Sequence, residues 1–262
     1  MLHPFPSLLV TAVTVAIAVF ADPGGSRVTW AQLGVGMLLF QFSIGIMNDV
    51  VDATDDRASK PWKPIARGAF RRDRAALLAG MCAGAGLLVT ITFPLEAWLV
   101  GVAGLACGLV YDVVLKRTVL SWLPYAIAIP LVPIWVYAAI DAWDGLLWWA
   151  LPLGALLGFS LHIANQLPDA DQDGRRGIRS AAQRVDARRA YGVAVAAFGV
   201  AASGAIIVLL FESPGRAALA AIDAVVVALL GPRATRFFGR DGLFGLLAAA
   251  TATLAVLFLS AV

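Results

Sequence analysis

Charge is what this sequence has least of. Only 14% of its 262 residues are Asp, Glu, Lys or Arg, while 60% are hydrophobic. Soluble domains carry about 25% charged and about 45–50% apolar residues, so the composition excludes a soluble enzyme, a disordered tail and a collagen-like fibre. Cysteine is nearly absent too. Cys82 and Cys107 lie in apolar runs, which leaves no disulfide scaffold and no four-cysteine zinc site. Two histidines, His3 and His162, are too few for a histidine-built metal centre. A membrane span needs about 20 apolar residues, and the length suits one integral membrane domain, residues 1–262.

Apolar runs bounded by charges predict nine helices, over residues 6–21, 30–47, 75–93, 96–111, 119–140, 145–165, 188–210, 214–230 and 243–261. They are too long and too uniformly apolar to be the alternating strands of a membrane barrel. The first run, from Leu8 to Ala21, has no basic residues before it and reads as a span rather than a cleaved leader. The expected fold is an all-α integral membrane protein with nine transmembrane helices.

The scarce cations are distributed unevenly. Eighteen of the twenty Lys and Arg residues fall in the even-numbered loops between these runs, and only Arg27 and Arg216 fall in odd ones. By the positive-inside rule the N-terminus and the even loops are cytoplasmic and the C-terminus lies outside, with the cell (inner) membrane the expected location. The net charge of +3 therefore calls for no nucleic-acid partner; the bilayer accounts for it.

Fifteen of the seventeen acids are Asp, and they gather in the same loops as the cations. Asn48-Asp49-x-x-Asp52-x-x-x-Asp56 follows the second run, and Asn165-Gln166-x-x-Asp169-x-x-x-Asp173 follows the sixth. The spacing is the same in both, and four helices separate them. An even number of spans returns the second copy to the same membrane face, which reads as a parallel repeat. Two four-helix units, over about 1–117 and 118–230, are then followed by a ninth helix.

On a helix, positions 49, 52 and 56 share one face, as do 166, 169 and 173. Clustered carboxylates near a membrane repel one another unless a cation sits among them. Mg²⁺ prefers oxygen, keeps several waters, and is held by one or two carboxylates plus substrate phosphates. Two such clusters at the mouth of a helix bundle would hold Mg²⁺ ions bridging a diphosphate. The plainer reading is a solvated helix end whose acids balance adjacent arginines, and the matched second copy argues against it. An EF-hand is disfavoured by the missing Gly and terminal Glu.

With its continuation Arg57-x-x-Lys60-Pro61-x-Lys63-Pro64-x-x-x-Gly68, the first motif resembles the UbiA superfamily of intramembrane prenyltransferases. Tyr111-x-x-x-Leu115-Lys116 is similar to that family's Tyr-x-x-x-Leu-Lys segment, and Asp169-x-x-x-Asp173-x-x-x-Gly177 to its second Asp motif. The resemblance runs from the first helix to the sixth loop. It implies Mg²⁺-dependent transfer of an isoprenyl group from a prenyl diphosphate donor to a lipophilic acceptor, an aromatic or quinone precursor. Asp49, Asp52 and Asp56 would serve one Mg²⁺ and Asp169 and Asp173 the other, with Asn48 and Asn165 as neutral oxygen donors or supporting partners. Lys116 would bind the diphosphate, with Lys60, Lys63 and Arg67 as closing contacts. Gln166 departs from the family, since many members carry Asp there; Gln keeps an oxygen ligand and removes a charge.

Smaller signals are assigned beside these. His162 lies on the stripe of Gln166 and Asp169, as an acceptor contact or base, or as a hydrogen-bonded bundle histidine. Asp112, beside Tyr111, would orient Lys116 or an acceptor hydroxyl. Asp55 and Asp171 lie off the motif faces and are expected in solvent. Gly101, Gly104, Gly108, Gly154 and Gly158 are expected at helix contacts. Most tryptophans are expected as interfacial anchors, while Trp135 lies deeper, lining a pocket or facing lipid. Two alternative functions remain: a membrane terpene cyclase, which keeps the ionisation machinery but has no external acceptor, and a transporter of isoprenoid phosphates built on the parallel repeat.

Overall fold

The second helix is longer than its apolar run. In the computed structural model, which describes residues 4–167, 187–234, 236 and 242–261, α2 extends from Arg27 to Ser59. Its 33 residues correspond to about 50 Å, enough to cross a bilayer and still project several turns. Ser26 starts it, its hydroxyl accepting from the Thr29 N–H at 3.3 Å. Nothing in residues 48–59 breaks a helix, so the first Asp motif rides on its last turns instead of on a loop beyond a span ending at 47. Lys60 closes it, donating its N–H to the Asp56 carbonyl at 2.8 Å, and Pro61 cannot continue the ladder.

All described secondary structure is helical. The remaining α-helices are α1 (Pro4–Ala21), α3 (Arg72–Val89), α4 (Leu95–Val110), α5 (Leu123–Ala139), α6 (Leu147–Gln166), α7 (Ala187–Glu212), α8 (Pro214–Leu230) and α9 (Gly242–Leu259). Nine helices among the described residues match the nine predicted from hydropathy. Six are long and apolar enough to cross a membrane by length and composition: α2, α4 with its extension to Leu115, α6, α7, α8 and α9. The apolar helices over Pro6–Ala21 and Leu123–Ala139 are shorter. In α3 the first turn is Arg72-Asp73-Arg74, so its apolar stretch starts only at Ala75.

The described residues form two compact units. One holds residues 1–114 and 135–142, the other residues 115–134 and 143–262. In the first, α2 is the central element and packs on α1, α3 and α4. Ile46, Val50 and Ala53 of α2 meet Ala75 and Ala79 of α3, and Ile65 from the connecting loop inserts among them. Trp135 is buried here at 2% exposure, 5.8 Å from Phe40 and 6.2 Å from Phe93 between ring centroids. It is a packing residue of this unit and faces neither lipid nor an open pocket. A Cβ at Gly108 would collide with Ile44, so that glycine allows α4 to approach α2. Gly104, expected at a helix contact, has open space where its side chain would be.

In the second unit α6 packs on α7 and α9, and α8 packs on α7 and α9. Ser160 donates to the Ala194 carbonyl at 2.7 Å, tying α6 to α7. The backbone of α5 at Tyr125 comes so close to Gly158 that no side chain could stand there. Trp62, Trp143, Trp148 and Trp149 are at least half exposed, as interfacial anchors require.

Candidate functional site

The first Asp motif is organised by one lysine. Asp49 and Asp56, seven residues apart on α2, are buried at 1% and 5% exposure. Lys63 reaches back from the following loop and places Nζ 2.7 Å from Asp49 Oδ1 and 2.7 Å from Asp56 Oδ2. Burial by itself would lower the pKa of this ammonium. The hydrogen bonds and charges of the two carboxylates outweigh that, and the net shift is upward. One ammonium thus bridges two buried carboxylates of α2.

The loop that carries Lys63 is pinned at both sides of it. Its N–H bonds to the Lys60 carbonyl and its own carbonyl accepts from the Arg67 N–H, each at 3.0 Å. Two residues on, Ile65 is anchored in the α2–α3 core, and Phe70 N–H closes back on the Pro64 carbonyl at 3.2 Å. Gly68 completes the turn at φ 76°, a backbone region that side chains disfavour, which explains a glycine at this place in the motif.

Around this pair the other predicted residues take different positions. Asp52 is half-buried on the same helix, and so is Asp55, which the helical wheel had assigned to solvent. Lys60 is half-buried and Arg67 is exposed. Asn48 donates from Nδ2 to Asp112 Oδ1 at 2.7 Å, joining α2 to the end of α4. Asp112 is buried at 3% exposure, next to buried Tyr111. Both lie in a five-residue π-helical segment, Tyr111–Leu115, that continues α4. Such widened turns recur at functional sites. Lys116, immediately after it, is half-buried and belongs to the second unit.

The described part of the second motif is neutral. Asn165 is exposed and Gln166 half-buried at the end of α6. Gln166 Nε2 donates to Ser121 Oγ at 3.5 Å, and that hydroxyl lies 3.0 Å from His162 Nε2. His162 is fully buried and stacks obliquely on Tyr125, centroids 5.0 Å apart. It is a hydrogen-bonded histidine inside the bundle. Ser121 was not singled out by the sequence, because it is distant along the chain and fits no motif; its only signal is a small hydroxyl beside a run of apolar residues. Asp169 and Asp173, together with Asp171, lie outside the described residues.

Among the described residues no three His, Cys, Asp or Glu side chains converge into a ready metal cage. Mg²⁺ does not require one. It is commonly held by one or two carboxylates, with water and substrate phosphates completing the shell. Asp49 and Asp56, already drawn to one cation and flanked by Asp52, have the donor chemistry for that ion.

Residues 8–243 match the UbiA prenyltransferase family, over most of the chain and through both Asp motifs. The chain belongs to this family. Solved structures of UbiA homologues share the fold at low identity. One is the apo structure of a homologue from Aeropyrum pernix K1, at 16% identity and TM-score 0.77, covering 97% of each chain. Another is a homologue from Archaeoglobus fulgidus bound to GPP and Mg²⁺, at 14% identity and TM-score 0.74, covering 98% of this chain and 97% of that one. A structure described as concerning the digeranylgeranylglyceryl phosphate synthase in membranes aligns at 12% identity and TM-score 0.70, covering 98% and 93%. A comparison with curated proteins finds no match. The UbiA family and the six long apolar helices make this an integral membrane protein.

Proposed function

We propose that this UbiA-family chain is a Mg²⁺-dependent intramembrane prenyltransferase, moving an isoprenyl group from a prenyl diphosphate to a lipophilic acceptor of the aromatic or quinone-precursor class. The observation that carries the reading is the pair of buried carboxylates, Asp49 and Asp56, drawn to one cation within the family's motif. Clustered carboxylates that attract a cation have the oxygen-donor chemistry by which a divalent ion is held together with substrate phosphates.

Asp49, Asp52 and Asp56 would hold one Mg²⁺ and Asp169 and Asp173 the other. When bound, the ion supplies Lewis-acid stabilisation of the departing diphosphate. Lys116 binds diphosphate oxygens, and Lys60, Lys63 and Arg67 add positive charge where negative charge develops. Asp112 fixes the amide of Asn48, so that Asn48 presents its oxygen in a set orientation. Gln166 does the same in the second motif through Ser121, with His162 behind it. The apolar helices exclude water from the prenyl group as its bond to oxygen breaks, which protects the allylic cation from hydrolysis. The two motifs represent the two halves of a parallel repeat. The distribution of basic residues supports a topology with both on the cytoplasmic face of the cell membrane and the C-terminus outside.

The test incubates membranes containing the protein with Mg²⁺ and labelled prenyl diphosphates of increasing length, with and without aromatic acceptors. Prenylated acceptor is the expected product, and Asp52→Ala or Asp169→Ala abolishes it while leaving a folded protein. Acceptor-independent release of diphosphate with a hydrocarbon or terpene alcohol would replace transfer by cyclisation. Flux of an intact isoprenoid phosphate across vesicles without turnover would replace it by transport.

A further inference from the structure

The position of Lys63 has a consequence for how the metal enters. Its ammonium lies at the point on which Asp49 Oδ1 and Asp56 Oδ2 converge, 2.7 Å from each. A divalent ion held by those two oxygens needs the same space, at about 2.0–2.1 Å from each. The two cations cannot share it. We infer that Lys63 is a specificity-determining residue for the form of the metal: it excludes free Mg²⁺ from the first Asp motif and yields to Mg²⁺ that arrives with a diphosphate. The inference rests on the metal–diphosphate reading above.

A naked ion must displace an ammonium that already bridges the two buried carboxylates, and the displaced charge then stands beside a second cation. When the ion comes with a diphosphate, it brings an anion on which the displaced ammonium can settle. The backbone at residue 63 has little room to move, being held by its bonds to Lys60 and Arg67 and by the Ile65 anchor. The flexible four-carbon stem does the moving, and its 15% exposure leaves a way out. One side chain thus serves two carboxylates before loading and the diphosphate after it. It also makes the binding of metal and diphosphate mutually dependent, since any coupling between two ligands is reciprocal.

The experiment titrates the full chain, purified in detergent, with Mn²⁺ followed by the electron paramagnetic resonance signal of the free ion. Titrations are run with and without inorganic diphosphate, each against a protein-free blank because diphosphate itself complexes Mn²⁺. Wild-type protein is expected to bind Mn²⁺ weakly alone and at least tenfold more tightly with diphosphate. Lys63→Gln is expected to bind Mn²⁺ alone at least tenfold more tightly than wild type and to lose most of the gain from diphosphate. Lys63→Arg, which keeps the cation, stays close to wild type. Equal affinity of Lys63→Gln and wild type for Mn²⁺ alone would overturn the inference while leaving the metal site intact. Should the glutamine variant fail to fold, the wild-type titration decides, because Mn²⁺ affinity unchanged by diphosphate contradicts the exclusion. No Mn²⁺ binding by any protein, with or without diphosphate, would overturn the metal–diphosphate reading itself.

Discussion

The two copies of the Asn-acid motif share their spacing and differ in how their first acid-position side chain is held. In the first copy that residue is Asp49, a buried carboxylate against the Lys63 ammonium. In the second it is Gln166, half-buried and tied through Ser121 to fully buried His162. A buried charge needs a counter-charge at bonding distance, because an uncompensated one costs several kcal/mol. A neutral amide needs only a hydrogen-bond partner. The lesson is that the buried carboxylate of the first motif is set against a cation, whereas the amide of the second is set against a hydroxyl.

The comparison breaks most visibly at Asp49. Asp49→Asn removes the charge but keeps the shape, making the first copy resemble the second. If Asp49 ligates Mg²⁺ as proposed, this change should lower Mg²⁺-dependent turnover by about a hundredfold or more, since the Lewis acid supplies several kcal/mol. Steady-state rates at saturating Mg²⁺ check this. The reverse change, Gln166→Asp, puts a charge where the second copy has an amide bonded to Ser121. Mn²⁺ affinity should rise by about tenfold, within the range over which metal-site partners act, and thermal stability without metal should fall. A metal titration and a melting curve read both.

Smaller effects sharpen the same contrast. Ser121→Ala unties the Gln166 amide from His162, at a cost near that of one hydrogen bond, about 1 kcal/mol or fivefold in the affinity for Mn²⁺ with diphosphate. At the other extreme, Asp73 pairs with Arg71 on the exposed first turn of α3. The Arg71 side chain and the Arg74 N–H hold its carboxyl down to about 2. It stays ionised at every pH usable for assay. Asp73→Asn should leave turnover and its pH profile unchanged, which separates the fixed charge of the surface from that of the motif.

The helices were legible because the greater part of each is written as an apolar run, and the nine expected from hydropathy correspond to the nine described. The end of α2 was not legible in that way. Hydropathy ends at 47, whereas the helix continues to Ser59, since helix geometry depends on the absence of Pro and Gly and not on apolarity. The face shared by Asp49, Asp52 and Asp56 could be read from spacing because that face belongs to the helix itself. Lys63 could be named as a basic residue of the motif, but its place between two carboxylates could not. That place depends on a loop folded back by Ile65 and Gly68, which no periodicity reports. Ser121 was missed for the same reason, being brought to Gln166 and His162 by packing across distant segments. Trp135 was left between pocket and lipid by its depth in the sequence, and only its contacts with Phe40 and Phe93 settle it in the core.

The central claim is that the charged first motif drives departure of diphosphate from a prenyl group. Release of diphosphate by the purified full chain, from a labelled prenyl diphosphate with an aromatic acceptor present, tests it most directly. The account expects release that requires Mg²⁺, stops on chelation, and is lost in Asp56→Asn. Release that persists without a divalent metal, or at the full rate in Asp56→Asn, would contradict it.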